Sequence, residues 1–401
     1  MAGLRVLELG AWVAGPAAGL VLADWGADVV KVEPPGVGDP GRLFARLLAS
    51  MGADLPFNPP FEMDNRGKRS IALDLASEEG RALGMELVDG ADVLVTNIRQ
   101  SALARLGFDP AAVMRRNPRL VYAAITGYGM DGPDSDRAAY DISAFWARSG
   151  IAHMLTSPGQ APPFQRGGMG DHNAGMAAAG GVAAALYERE KTGRGRLVTT
   201  SLLREGIFTM SFDLAITLRF GVPLQVADRL NVGNPCINNY QDSEGRWFWV
   251  VGLDPDRHWP PMARAVGHPE WIDDPRYATF AARRERSVEL IEELDGIFAG
   301  KPLAEWAEIF DSVPDMWWAP VQTLDEVIAD PQARAAGSFC EVPDPAGGTL
   351  TFPATPVDFD GQGARPACMA PVLGEHSDDL LAELGRDGDE IKRLREAGVV
   401  A

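Results

Sequence analysis

The chain is poor in cysteine and in positive charge, and it has no long apolar run. Only three cysteines, Cys236, Cys340 and Cys368, are spread over 401 residues. That spacing indicates neither a disulfide framework nor a zinc knuckle, and it fits a reducing compartment. Lys and Arg number 37 against 56 Asp and Glu, a formal net charge of -19. This excess argues against nucleic acid and anionic membrane surfaces as partners, so an anionic ligand would need a local basic patch. No uninterrupted apolar stretch is long enough to span a bilayer. The five histidines (His153, His172, His258, His268, His376) lack metal-ligand spacing, so no metal is expected. The run Gly10-Ala11-Trp12-Val13-Ala14-Gly15 is not G-x-G-x-x-G, and no Gly-Lys-Ser/Thr loop or Gly-x-Ser-x-Gly elbow occurs. Nicotinamide chemistry, P-loop phosphate binding and serine-hydrolase chemistry thus lack their usual signatures. The N-terminus runs straight into a strand-like pattern, from which we expect no signal peptide and a cytoplasmic protein.

What is present is an alternation of apolar runs and helical patterns. Residues 4–9 read as a buried strand, 17–25 as a helix ended by Gly26, and 28–33 as the next strand. This βαβ unit implies parallel strands. The pattern repeats with strands at 70–73, 92–96, 120–126 and 196–200 and helices at 78–88, 101–106 and 174–185, which predicts an α/β sheet covered on both faces. Breakers at Gly221, Pro223, Gly233 and Pro235 suggest a domain boundary. We therefore divide the chain into a large domain at 1–220, a small α+β domain at 221–330 and a return segment at 331–401 that packs on the large domain. Seven of the ten tryptophans lie between Trp247 and Trp318, a set that reads as core of the small domain.

One carboxylate stands out. Asp171 sits in Gly167-Gly168-Met169-Gly170-Asp171-His172-Asn173, between a glycine-rich turn and a run of small residues read as helix. On this segment alone an N-cap is the ordinary reading. A carboxylate held beside helix N–H groups can also serve as nucleophile or proton carrier. Lys68-Arg69, Arg99 and Arg105 are the basic residues placed where an anionic ligand could use them.

Longer motifs carry a resemblance. Leu4-Arg5-Val6-Leu7-Glu8-Leu9, Ala14-Gly15-Pro16, the run from Leu22 to Glu33, Asn65-Arg66-Gly67-Lys68-Arg69-Ser70, Asp92-Val93-Leu94-Val95-Thr96-Asn97, Gly127-Tyr128-Gly129, Gly170-Asp171 and Lys191-Thr192-Gly193-Arg194-Gly195 occur in this order. In this order and spacing the chain resembles the class III CoA-transferases, whose relatives include formyl-CoA transferase, carnitine CoA-transferase and α-methylacyl-CoA racemase. The resemblance implies a Rossmann-like large domain, a smaller domain and a homodimer of two chains linked like rings. It implies coenzyme A, brought as an acyl-CoA donor, and a carboxylic acid acceptor. Asp171 matches the family's catalytic aspartate, which forms an anhydride and then an aspartyl-CoA thioester. Trp12, Val13, Ala14, Asn97, Ile98, Arg105, Tyr140 and Leu202 match positions that contact CoA or the acyl group, with Lys68 and Arg69 added as a basic pair. Gly167, Gly168 and Gly170 would form the turn beside the developing oxyanion.

Departures from the pattern shape the expected function. The racemase branch needs a His-Asp dipeptide, and here it is Tyr140-Asp141. Tyrosine is a poor base near neutral pH. Asp254 resembles an acidic position that supports the racemase site, and His172 adjoins Asp171. Formyl-CoA transferase has a glutamine where this chain has Val13, and its glycine run has no counterpart between Leu230 and Gly252. Oxalate and formate are therefore not expected, and Trp12 with Val13 points to a more apolar or bulkier acyl group. The expected activity is CoA transfer. The alternatives are proton transfer at the α-carbon of an acyl-CoA and non-catalytic acyl-CoA binding.

Overall fold

The computed structural model describes residues 1–401 except 51, 53–56, 223, 225, 227 and 365. Pro223, one of the expected breakers, lies outside the described residues. The chain forms two compact units. One comprises Met1–Ala152, Phe164–Pro223 and Gln332–Ala401, the other His153–Pro163 and Leu224–Pro331.

The first unit is built on six parallel strands, β1 (Arg5–Leu9), β2 (Asp28–Glu33), β3 (Arg69–Ala72), β4 (Val93–Thr96), β5 (Val121–Thr126) and β6 (Leu197–Ser201). Their order is β3-β2-β1-β4-β5-β6, that of Rossmann-type sheets. Alternate side chains enter two cores. Val6, Val29, Val93 and Ile125 face α1 (Ala14–Asp24), while Leu7, Val30, Ile71 and Leu94 share a core with Leu380, Leu381 and Val400 near the C-terminus. Burial on both faces explains why these strands read as apolar runs rather than as alternation.

Connecting elements include α2 (Pro59–Asn65), α3 (Glu78–Asp89), α4 (Gln100–Leu106) and α5 (Pro110–Arg116). A short π-wound turn covers Ile142–Ala147. The small-residue helix is α6 (Met169–Thr192), which starts five residues before the span expected from sequence. Its glycines permit close packing. A Cβ on Gly175 would stand 2.8 Å from Ala17 Cβ, and one on Gly181 2.6 Å from Val198 Cγ1. Two further helices follow β6, α7 (Leu202–Thr209) and α8 (Ser211–Phe220). The periodic pattern did not reveal α8, and it has no buried residue among those described.

The second unit holds an antiparallel sheet of β7 (Ile237–Gln241), β8 (Trp247–Val251) and β9 (Trp318–Pro320), in that order. Its core gathers Tyr240, Phe248, Trp259, Phe298, Trp306 and Phe310. The tryptophans divide: Trp259 and Trp306 are core, whereas Trp247, Trp249 and Trp317 are exposed. Back in the first unit, β10 (Phe339–Pro343) and β11 (Thr349–Pro353) form a hairpin in the Pro/Gly-rich segment. Among the described residues no helix is long and apolar enough to cross a membrane.

Candidate active site

In an open parallel sheet, ligands bind beyond the carboxyl ends of the strands, where the strand order reverses. Here the reversal lies between β1 and β4. A cavity of about 110 Å³ opens at that place, lined by Trp12, Val13, Ala14, Asn97, Thr126, Gly127, Tyr140, Asp141, Asp171 and Leu202 among others. Six of the ten residues expected to meet CoA or the acyl group therefore gather around Asp171. Ile98 is adjacent and half-buried, with its N–H donated to Thr96 Oγ1 at 3.1 Å. Arg105 is exposed in the last turn of α4.

The loop after β1 is held by long-range bonds. Asn97, directly after β4, accepts the Ala11 N–H at 2.9 Å and donates to the Ala11 carbonyl at 2.7 Å. Gly15 is needed because a Cβ there would stand 2.7 Å from Asn97 Oδ1. The turn itself places Trp12, not a glycine, in the left-handed region at φ 63°. Such a conformation persists only where surrounding bonds over-determine it. Asp39 Oδ1 supplies one, accepting the Trp12 N–H at 2.9 Å. The Trp12 ring then meets Tyr140 edge-to-face, with centroids 5.8 Å apart.

Asp39 belongs to a buried ionic cluster. Glu8 and Lys31 face each other across β1 and β2, with Glu8 Oε1 2.8 Å from Lys31 Nζ and Glu8 Oε2 2.7 Å from Lys68 Nζ. Lys31 Nζ also lies 2.7 Å from Asp39 Oδ2. Burial opposes the Lys31 charge, but Glu8, Asp39 and Glu33 outweigh it and hold its pKa above the ordinary lysine value. Lys68 donates further to Pro16 O and Asn65 Oδ1. The structure therefore does not bring Lys68 to the cavity: the residue is 1% exposed, and its ammonium is held by Glu8, Pro16 and Asn65. Arg69 is likewise elsewhere, bonded to Asp28 and Glu383.

Asp171 is the third residue of α6, inside its first turn, and the cap position is Gly168 at φ 79° with no side-chain cap bond. The N-cap reading of Asp171 does not hold. The half-buried carboxyl has its pKa pushed up to about 7, by burial first and by the Asp141 charge second, with His172 pulling the other way. The Gly170 N–H is not free beside it, because Asp141 Oδ2 accepts it at 3.0 Å. Nothing stands within 4 Å of a Cβ built on Gly167. His172 Nε2 donates to buried Asp64 Oδ1 at 2.9 Å.

Asp39 and Asp64 have no assigned role in the sequence, and Asp141 enters only through the Tyr140-Asp141 dipeptide. The contacts of the three cross 27, 108 and 29 residues, so no local spacing could reveal them. Asp254 lies in the second unit, where its Oδ1 accepts the Arg257 N–H. Among the described residues no group of three His, Cys, Asp or Glu is placed to hold a metal ion.

The sequence profile of CoA-transferase family III matches residues 1–377. The chain belongs to CoA-transferase family III. It is 33% identical over 399 residues to the cinnamoyl-CoA:phenyllactate CoA-transferase of Clostridium sporogenes, covering 98% of this chain and 95% of that protein. It is 29% identical over 398 residues to the (R)-2-hydroxy-4-methylpentanoate CoA-transferase of Clostridioides difficile, covering 99% and 98% respectively. A crystal structure of a variant of Rv3272 from Mycobacterium tuberculosis superposes with a TM-score of 0.82 at 28% identity, covering 95% of this chain and 98% of that one. The matches in sequence and in fold thus each cover 95% or more of this chain.

Proposed function

We propose that this family III enzyme moves CoA from an acyl-CoA thioester to a carboxylic acid, with Asp171 as the nucleophile. The supporting observation is a half-buried carboxyl at the strand-order reversal, in a cavity matched to the reacting end of an acyl-CoA rather than to the whole molecule. An Asp171 oxygen attacks the thioester carbonyl, the C–S bond breaks and CoA thiolate leaves, giving a mixed anhydride. The thiolate then attacks the aspartyl carbonyl and expels the donor acid, which carries away one Asp171 oxygen. The acceptor carboxylate attacks the resulting aspartyl thioester and releases thiolate. That thiolate attacks the acceptor's acyl carbon, leaving acyl-CoA and an Asp171 carboxylate that now holds one acceptor oxygen. Water must be excluded because it would hydrolyse either intermediate. Trp12, Val13, Ala14, Asn97, Tyr140 and Leu202 enclose the reacting atoms, and exposed Arg105 with Ile98 lies where the CoA body would extend.

The wall made by Trp12, Val13 and Tyr140 suits an apolar acyl group. The relatives that act on phenyllactate and on 2-hydroxy-4-methylpentanoate support that class. Preference for formyl-CoA or oxalyl-CoA across a panel of donors would contradict it. A homodimer fits the exposed apolar side chains of Phe208, Phe212, Leu218 and Phe220 on α7 and α8, which a second copy would cover.

A pKa near 7 would also suit a proton carrier. Acceptor acid labelled with oxygen-18 in its carboxylate separates the two readings. The transfer reaction deposits label on Asp171 and delivers it to the donor acid of the next turnover. Solvent deuterium entering the acyl α-carbon, with no such label transfer, would show racemase-type chemistry instead.

A further inference from the structure

The first turn of α6 is gripped from two sides by charged groups of opposite sign. On one side Asp141, from the segment after β5, is 9% exposed and accepts the Gly170 N–H through Oδ2. Its other oxygen, Oδ1, has no hydrogen-bond partner among the described residues. The fit is tight: a Cβ on Gly170 would stand 2.3 Å from Asp141 Oδ1 and 2.3 Å from Phe145 Cγ. Both Asp141 and Asp171 line the same cavity. On the other side His172 packs its ring over Gly168, where a Cβ would stand 2.9 Å from ring Cε1 and Nδ1. Its Nε2 is bonded to Asp64, which is 3% exposed. That bond, against the opposing effect of burial, raises the His172 pKa and favours the imidazolium.

We propose that Asp141 and His172 are opposed positioning residues for Asp171: Asp141 clamps the helix start with a like charge, and His172, anchored on Asp64, holds it with an opposite one. Asp141 fixes the backbone of the residue before Asp171 and makes its carboxylate less comfortable. His172 fixes the left-handed turn at Gly168 and relieves the same carboxylate. A carboxylate needs such a balance to act as a nucleophile. Too much relief makes it a weak attacker, and too little leaves it protonated near neutral pH. The charged groups acting on Asp171 are Asp141, Asp64 and His172. The neighbouring elements otherwise face the cavity with the Tyr140 phenol and the uncharged Trp12, Val13, Ala14, Asn97, Thr126 and Leu202. The inference rests on the reading of Asp171 as nucleophile only for its consequence in catalysis.

The test is a carbon-13 NMR titration of the full-length protein labelled at aspartate Cγ, with Asp171→Asn used to assign the resonance. In Asp141→Asn the amide oxygen still accepts the Gly170 N–H while the charge is gone, so the Asp171 midpoint should fall by about one pH unit. In His172→Gln it should rise by about one pH unit. Asp141→Ser, which keeps an acceptor, stands in if the asparagine variant does not fold. Midpoints that move in the same direction, or that stay put, would overturn the proposal, since a purely structural role predicts no opposition in sign. The pH profile of kcat/KM, measured alongside, separates the two readings. Opposite NMR displacements with an unmoved acid limb would retain this proposal and reject Asp171 as the nucleophile.

Discussion

Ionisation of Asp171 ties the reaction to pH and to stability at once. Its carboxyl is raised from 3.8 to about 7 in the folded chain, burial being the main cause. Only the ionised form can attack, so kcat/KM should climb with pH and level off above an apparent pKa near 7. The stability sign is the reverse. A group whose folded pKa is raised supports the fold while protonated, so this contribution is complete below pH 3.8 and is lost as pH rises through about 7. Asp171→Asn should therefore abolish transfer yet raise the melting temperature at pH 8. The gain should be roughly 2 kcal/mol, because residual solvent contact screens about half of the full displacement. Thermal melts at pH 8 and below pH 4 check this. The variant should gain only at the higher pH.

The elements around the site explain which parts of it are legible in sequence. Parallel strands buried on both faces show up as apolar runs, so β1 to β6 with α1, α3, α4 and α6 are readable along the chain, whereas the short helices α2 and α5, each opened by a proline, carry too few periodic positions to be read. Asn97 and Leu202 stand directly after β4 and β6, at the strand ends where this topology places ligands, but in the sequence they and Trp12 are marked only by the family resemblance. Lys68 shows the limit. A basic residue in an acidic chain reads as a solvated or ligand-binding charge, whereas Glu8, itself inside an apolar strand, draws it into the interior. Nothing local reveals a pairing across 60 residues. Lys68→Met should thus leave Glu8 short of one buried partner and cost roughly 3–5 kcal/mol in a chemical denaturation curve. A raised KM for acyl-CoA with unchanged stability would instead mean that Lys68 meets the ligand. Helix α8 was illegible for the opposite reason. Its apolar residues point to no core within its own unit, so no amphipathic period marks it.

For the molecule as a whole, those same apolar residues bear on assembly. Phe212 is 79% and Leu218 84% exposed, and monomeric proteins rarely leave such groups clustered in water. Light scattering should report a dimer. Phe212→Glu with Leu218→Glu should weaken it by at least about tenfold in dissociation constant, burial of each side chain being worth roughly 1.5–3 kcal/mol. A monomeric wild type would leave the stripe without this explanation. With a net charge of -19 the chain as a whole repels anions, so an acyl-CoA would have to be recognised by local groups. The central claim is covalent chemistry at one carboxyl. Its most direct test is to incubate the protein with a panel of acyl-CoAs, quench with hydroxylamine and examine the peptide holding Asp171 by mass spectrometry. A hydroxamate on Asp171, strongest with apolar acyl donors and absent from Asp171→Asn, is the expected result. An unmodified Asp171 in a preparation that is transferring CoA would contradict the account.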